Sequence, residues 1–372
     1  MSMNELLARF HDVAANPSAQ MKKYLAEGKK VVLTAPVYTP EEIIHSMGLV
    51  PMGAWGGDLV LDRAKEYFPA FICSIMQSIL ELGMKGTYDG ASAIVIPSLC
   101  DSLKCLGQNW KYAVPGIPFI PMTYPQNRNN EVGKTFVKAG YRRVAADLEK
   151  ATGAVFSEEA LAESIKVYNK HNAVMRKLDE ALASHPEVTN AQRSDVYKSA
   201  FFMTKEEHTV LAEKLLSALN ETPASGKVKI VTSGILCDAP SLLESFDALG
   251  FQIVADDVAA ESRQYRTDAP EKPEALDALA EKFAAMDNCS VLFDVEKKRA
   301  DLIVKTAQER GAKAVVLVLT KFCDPEEFDA VPVRRACEAA DLPFVLIEVD
   351  RQMADLGQAR TILETLRDSL NA

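Results

Sequence analysis

The chain has 372 residues, 48% of them hydrophobic and 25% charged, with a formal net charge of −10. The acidic balance, with an isoelectric point near 5.2, excludes the basic footprint that a nucleic-acid or anionic-membrane partner needs. The length exceeds one ordinary core and predicts two or three domains, and no apolar run is long enough to span a bilayer.

Taken in order, residues 1–27 read as helix, with Leu6, Leu7 and Phe10 on one face and Met21 and Leu25 further along. This opening stretch lacks the apolar core of a signal peptide, so the expected location is the cytoplasm. Residues 30–37 are rich in β-branched side chains and predict a strand. Pro40 suits a first helical position, with Thr39 as cap and Glu41 and Glu42 in the first turn, and that helix closes at Gly48. A strand at 50–55 ends in Gly56-Gly57. Residues 71–82 are helical by spacing, with Cys73 in the first turn. An apolar strand at 91–96 is broken by Pro97, and Asp101 or Ser102 is placed to cap a helix from near Leu103. Residues 118–122 predict a further strand before a polar loop from Pro125. This alternation predicts a parallel sheet flanked by helices.

From about residue 130 the pattern turns helical, over 137–151, 157–183, 190–200 and 205–219, and residues 222–227 read as a linker. A second α/β unit follows, with strands at 228–233, 252–255, 314–320 and 344–349. Its helices are expected at 242–249, 273–286, 294–310, 324–339 and 357–370. The expected fold class is therefore α/β: two Rossmann-like or flavodoxin-like parallel-sheet domains with a helical segment between or beside them. The expected division is 1–130 (with the leading helix), 131–222 and 223–372. A distant internal duplication is compatible with this pattern.

Seven cysteines in a reducing compartment argue for packing, catalysis or metal binding rather than disulfides, and an odd count fits poorly with a complete disulfide framework. Three share a context. Cys73 opens a helix in Phe-Ile-Cys-Ser, Cys100 follows a strand in Pro-Ser-Leu-Cys-Asp-Ser, and Cys323 follows a strand in Lys-Phe-Cys-Asp-Pro-Glu-Glu. Strand-to-helix junctions of an open α/β sheet lie at its carboxyl edge, where ligands bind. A helix start also favours negative charge, so a thiolate is expected to be stabilised there. The wide spacing argues against a ferredoxin-type run or a zinc ribbon. Three thiolates with an open fourth corner suit an iron–sulfur cluster or catalytic zinc, and soft ligands exclude magnesium and calcium. Cys105 and Cys237 are alternative ligands; Cys289 and Cys337 read as packing.

Other chemistry is weaker. His11, His45, His171, His185 and His208 show no ligand spacing, and no dinucleotide or P-loop motif occurs. Asp256-Asp257 and Glu261-Ser-Arg-Gln-Tyr-Arg read as a solvated loop after a strand, with a functional edge as the alternative. Trp55 and Trp110 read as packing.

Several motifs resemble those of the (R)-2-hydroxyacyl-CoA dehydratases, and in length those of the smaller β subunit. They are Phe-Ile-Cys-Ser-Ile at Cys73, Ile-Pro-Ser-Leu-Cys-Asp-Ser at Cys100, Asp256-Asp257 with Glu261-Ser-Arg, and Lys321-Phe-Cys-Asp-Pro-Glu-Glu. Tyr38-Thr-Pro-Glu-Glu-Ile-Ile, residues 50–57 and Gln108-Asn-Trp-Lys also fit, so the likeness covers nearly the whole chain. The closest likeness is to the 2-hydroxyisocaproyl-CoA and phenyllactyl-CoA enzymes, then to the lactoyl-CoA and 2-hydroxyglutaryl-CoA ones. The resemblance implies a heterodimer with an α subunit and one 4Fe-4S cluster in each subunit. It implies acyl-CoA substrate bound mainly on the α subunit, and a separate ATP-dependent iron–sulfur activator that injects one electron. The thioester then becomes a ketyl radical anion and loses water, and the electron is recovered. On this likeness Cys73, Cys100 and Cys323 hold the β-subunit cluster, with Cys105, Cys237 or a non-protein ligand at the fourth corner. The related benzoyl-CoA reductases, and a scaffold holding structural zinc, are the competing readings.

Overall fold

Two parallel four-stranded sheets organise the chain. The computed structural model describes residues 1–57, 59–219, 226–351 and 356–371, so the expected linker lies, up to residue 225, outside the described residues. The first part runs α1 (Met3–Ala15), α2 (Pro17–Ala26), β1 (Val31–Thr34), α3 (Glu41–Ser46), β2 (Val50–Gly53), α4 (Ser74–Met84), β3 (Ala93–Pro97), α5 (Asp101–Ala113) and β4 (Phe119–Met122). Four helices follow: α6 (Glu131–Thr152), α7 (Glu158–Leu182), α8 (Asn190–Ser199) and α9 (Lys205–Ala218). The last part is β5 (Val228–Gly234), α10 (Pro240–Ala248), β6 (Phe251–Val258), α11 (Ala275–Ala285), α12 (Arg299–Glu309), β7 (Ala314–Thr320), α13 (Asp324–Ala339), β8 (Phe344–Val349) and α14 (Gly357–Asn371).

The α/β class expected from the strand–helix alternation is what the chain forms. The sheets share one order, β2-β1-β3-β4 and β6-β5-β7-β8. In each, the connections reverse direction between the two central strands, which opens a crevice at the carboxyl edge. β3 and β7 are buried along their whole length, because helices cover both faces of a parallel sheet, and this explains their unbroken apolar runs. One face of the first sheet packs on α4 and α5 through Ile79, Leu106 and Trp110. The other packs on α6 and α11 through Val144, Leu148 and Leu279. At the end of β5, Gly234 has φ +152, and a Cβ there would lie 2.4 Å from the Val318 carbonyl oxygen; only glycine lets β5 approach β7 at the crevice.

Several local expectations are corrected. The leading helix is two helices, because Pro17 cannot continue α1 and instead opens α2. α1 starts on a capping box of Ser2 and Glu5 and buries Leu6, Leu7 and Phe10 against α7, α8 and α9. Thr39 does not cap α3; its hydroxyl donates to the Ala35 carbonyl at 2.7 Å. Asp256 and Asp257 lie inside β6 and are buried, so the solvated-loop reading of them fails. Trp55 and Trp110 pack as expected; Trp110 is fully buried and its indole N–H donates to the Ile117 carbonyl at 3.0 Å.

One pairing was invisible in the sequence. His171 on α7 and His208 on α9 are fully buried, with Nε2 of the first 3.0 Å from Nδ1 of the second. His208 Nε2 lies 2.9 Å from the Val196 carbonyl. It must therefore carry the proton, which leaves its Nδ1 to accept from His171. Burial keeps both rings neutral, holding His171 well below the ordinary histidine range and His208 down to about 3. The unfolded chain protonates near pH 6.5, so this stability is present above that pH and is lost as pH falls toward the folded values. Between pH 7 and pH 5 each ring should cost about 2 kcal/mol. Urea unfolding at the two pH values measures it, and equal stabilities at both would refute the neutral pair.

Candidate metal centre

Cys73, Cys100 and Cys323 each occupy the residue immediately before a helix, at the starts of α4, α5 and α13. The last two follow β3 and β7, which hold the same place in their respective sheets. At such positions Ser, Thr, Asp or Asn contributes about 1 kcal/mol by capping. None of the three cysteines makes a side-chain cap bond, so three helices forgo that stabilisation to place a thiol. Asp101 is the first helical residue of α5 rather than its cap, and Cys73 precedes the first turn of α4 rather than lying in it.

The three thiols share one electrostatic neighbourhood. Negative charge on Cys73 is felt at Cys100 and Cys323, and charge on Cys100 is felt at Cys323. The helix-start amides of Ile75 and Met76 at Cys73, Ser102 and Leu103 at Cys100, and Glu326 at Cys323 favour the thiolates without forming cap bonds. They were expected to hold thiolates, yet burial outweighs them. It raises Cys73, pushes Cys100 up to about 12 and carries Cys323 well above the ordinary thiol range. Three desolvated thiols stay protonated unless a cationic group arrives, and a bound metal deprotonates a coordinating thiol.

Among the described residues no three of His, Cys, Asp and Glu converge closely enough for one metal ion. Sulfurs on a single zinc, at Zn–S ≈ 2.3 Å, sit about 3.8 Å apart. Cys105 packs against the first core. Cys237 is buried in the core of the second sheet, where burial, then Glu261, raises it well above the usual range.

Buried ion pairs brace the two sides of the site. On the Cys73 side, the Arg351 N–H donates to Ser74 Oγ at 3.2 Å and its guanidinium pairs with Asp238 at 2.6 Å. Asp238 also accepts from Trp55 Nε1 at 2.8 Å and pairs with Lys198 at 3.0 Å. Burial raises the Asp238 carboxyl, but Arg351 and Lys198 outweigh it and hold the group well below its usual range. On the Cys323 side, Asp257 receives Arg299 Nε at 2.6 Å, Arg266 Nη1 at 2.9 Å and Arg263 Nη2 at 3.1 Å. These guanidiniums overcome burial and hold Asp257 well below its usual range. Arg299 continues to Glu326 at 2.8 Å and Asp329 at 3.0 Å on α13. A separate knot joins Arg193 to Asp179 at 3.0 Å, Glu261 at 2.6 Å and Asp256. The sequence signal was the acidic pair closing β6 followed by Glu-Ser-Arg. The partners Arg193, Arg299 and Glu326 were missed because they come from distant helices.

The chain is thus an α/β protein with two like-ordered sheets and cysteines at three helix starts. The family described as 2-hydroxyglutaryl-CoA dehydratase, D-component, matches residues 36–370. The chain is 43% identical over 366 residues to the (R)-phenyllactyl-CoA dehydratase beta subunit of Clostridium sporogenes, covering 97% of each chain. It is 39% identical to the lactoyl-CoA dehydratase subunit beta of Anaerotignum propionicum, covering 98% of each. It is also 38% identical to the (R)-2-hydroxyglutaryl-CoA dehydratase subunit beta of Acidaminococcus fermentans, along the full length of both. The chain belongs to this family of dehydratase subunits, as its motifs led us to expect. No helix among the described residues is long and apolar enough to cross a membrane.

Proposed function

We propose that the chain is the β subunit of a radical (R)-2-hydroxyacyl-CoA dehydratase, a hydro-lyase assembled with an α subunit. Cys73, Cys100 and Cys323 hold a 4Fe-4S cluster, through which the chain passes an electron from an ATP-dependent activator toward the substrate-binding subunit. The observation that carries this reading is the convergence of three uncapping thiols, from both sheets, into one electrostatic neighbourhood. A cluster held there supplies one-electron chemistry.

The substrate's chemistry needs that electron. The β-hydrogen of a 2-hydroxyacyl thioester is not acidic, so acid–base elimination is slow. One-electron reduction of the thioester makes that hydrogen removable. Hydroxide leaves with the proton as water, the 2-enoyl thioester forms, and the electron returns. The chain's own residues bury the site, set the thiols at helix starts and brace those starts. The fourth corner falls to a non-protein ligand, because neither Cys105, inside α5, nor Cys237 stands at a helix start as the three thiols do. Seven free cysteines fit a reducing compartment, and we place the protein in the cytoplasm.

The test is anaerobic co-purification with the α subunit. Iron in this chain, and activator-, ATP- and reductant-dependent dehydration of CoA thioesters of leucine-, phenylalanine- or lactate-derived 2-hydroxy acids, are expected. A colourless, air-stable complex carrying zinc would overturn the reading. Reduction of an aromatic thioester without dehydration would move the chain to the benzoyl-CoA reductase type.

A further inference from the structure

The sequence Cys323-Asp-Pro-Glu326 places Glu326 third in α13. A glutamate there ordinarily reaches back to the main chain before the helix, closing a capping box. Here the side chain turns the other way and is fully buried. Its Oε1 accepts from Ser290 Oγ at 2.6 Å and faces Arg263 Nη2 at 3.4 Å; its Oε2 pairs with Arg299 Nη2 at 2.8 Å. Both guanidiniums are themselves buried and anchored on Asp257 at the end of β6. The main chain of Glu326 meanwhile turns toward Cys323: its N–H donates to the Cys323 carbonyl at 3.0 Å. One residue therefore ties the thiol to a buried ion network, and its carboxylate is one of the charges that reach that sulfur.

We propose that Glu326 is a positioning residue for the metal centre. Its clamped carboxylate fixes the main chain that orients Cys323, and it supplies a negative charge that tunes the bound group. This rests on the reading of Cys323 as a cluster ligand. Asp329, two turns into α13, belongs to the same network through Arg299 at 3.0 Å and Lys297 at 2.6 Å, but its charge is not among those that act most strongly on Cys323. The two acids thus separate a local role at the thiol from a general role in stability.

The experiment compares wild type, Glu326→Gln and Asp329→Asn in the full αβ complex, isolated without oxygen. Iron is counted and the cluster signal is followed by EPR during a one-electron redox titration, in which the titrant supplies the electron. Removing a negative charge beside the centre favours its reduced, more negative form. Glu326→Gln should therefore shift the reduced-to-oxidised ratio at fixed potential about tenfold toward reduced, equivalent to about 59 mV. Asp329→Asn should shift it far less. Equal shifts in both variants, or none in Glu326→Gln with full iron, overturn the proposal. If Glu326→Gln fails to fold or to load iron, Ser290→Ala decides, since it removes the 2.6 Å bond to Glu326 and the 3.1 Å bond from Arg263 Nη1 but no charge. Faster loss of iron to a chelator than in wild type supports the positioning role, and an unchanged rate overturns it. Wild-type complex without iron in this chain would instead bring down the cluster reading itself.

Discussion

Cys100→Ala should give a folded chain that assembles with its partner yet lacks this chain's iron and supports no dehydration. Folding is expected to survive because the Cys100 side chain makes no cap bond and is less buried than Cys73 and Cys323. The truncation removes one sulfur from a site that tolerates a small residue, a cost of about 1 kcal/mol or less. The chemistry is expected to fail because two thiols from opposite sheets cannot hold a cluster in place of three. Any drop in melting temperature of the complex should come mainly from the lost metal group, which stabilises only the folded state. Cys105→Ala is the matching control and should keep both iron and turnover. Iron analysis, visible absorption and turnover of the reconstituted complex together check the pair. Full iron and turnover in Cys100→Ala, or their loss in Cys105→Ala, would refute the ligand assignment.

Arg193→Ala is expected to be the most destabilising single truncation, at about 3–5 kcal/mol. The guanidinium sits among Asp179, Asp256 and Glu261 and lies over the Tyr197 ring at 4.7 Å. Burial, then the Asp256 charge, already pushes Glu261 up to about 8 despite Arg193. Without the arginine, two buried carboxyls would face each other with their principal counter-charge gone. The chain then either pays desolvation of an unpaired charge or takes up a proton on folding. Urea unfolding at pH 7 should show the loss. A change below about 1 kcal/mol would mean that solvent reaches the knot.

Much of the fold was legible because its signals are local. The runs at 314–320 and 344–349 and the helices at 324–339 and 357–370 match the observed elements closely, since an apolar run bounded by turn residues is itself the physics of a buried strand. Where local reading failed, a long-range partner had won. Asp256 and Asp257 look like a polar loop until Arg193, Arg263 and Arg299 arrive from other elements to pay their desolvation. The His171–His208 contact spans 37 residues and has no periodic trace.

For the site, the sequence alone determined the three candidate cysteines, because a Cys-Asp after an apolar strand marks a carboxyl-edge junction wherever the sheet lies. It also determined the family, through short motifs in a shared order. Only the tertiary structure decided that Cys73, Cys100 and Cys323 act on one another electrostatically, since which junctions face one another depends on how two like-ordered sheets pack. The tertiary structure also reversed the expected sign at the thiols. Helix-start amides act over one turn and can be read from a sequence, whereas the burial that outweighs them is a property of everything packed around the site.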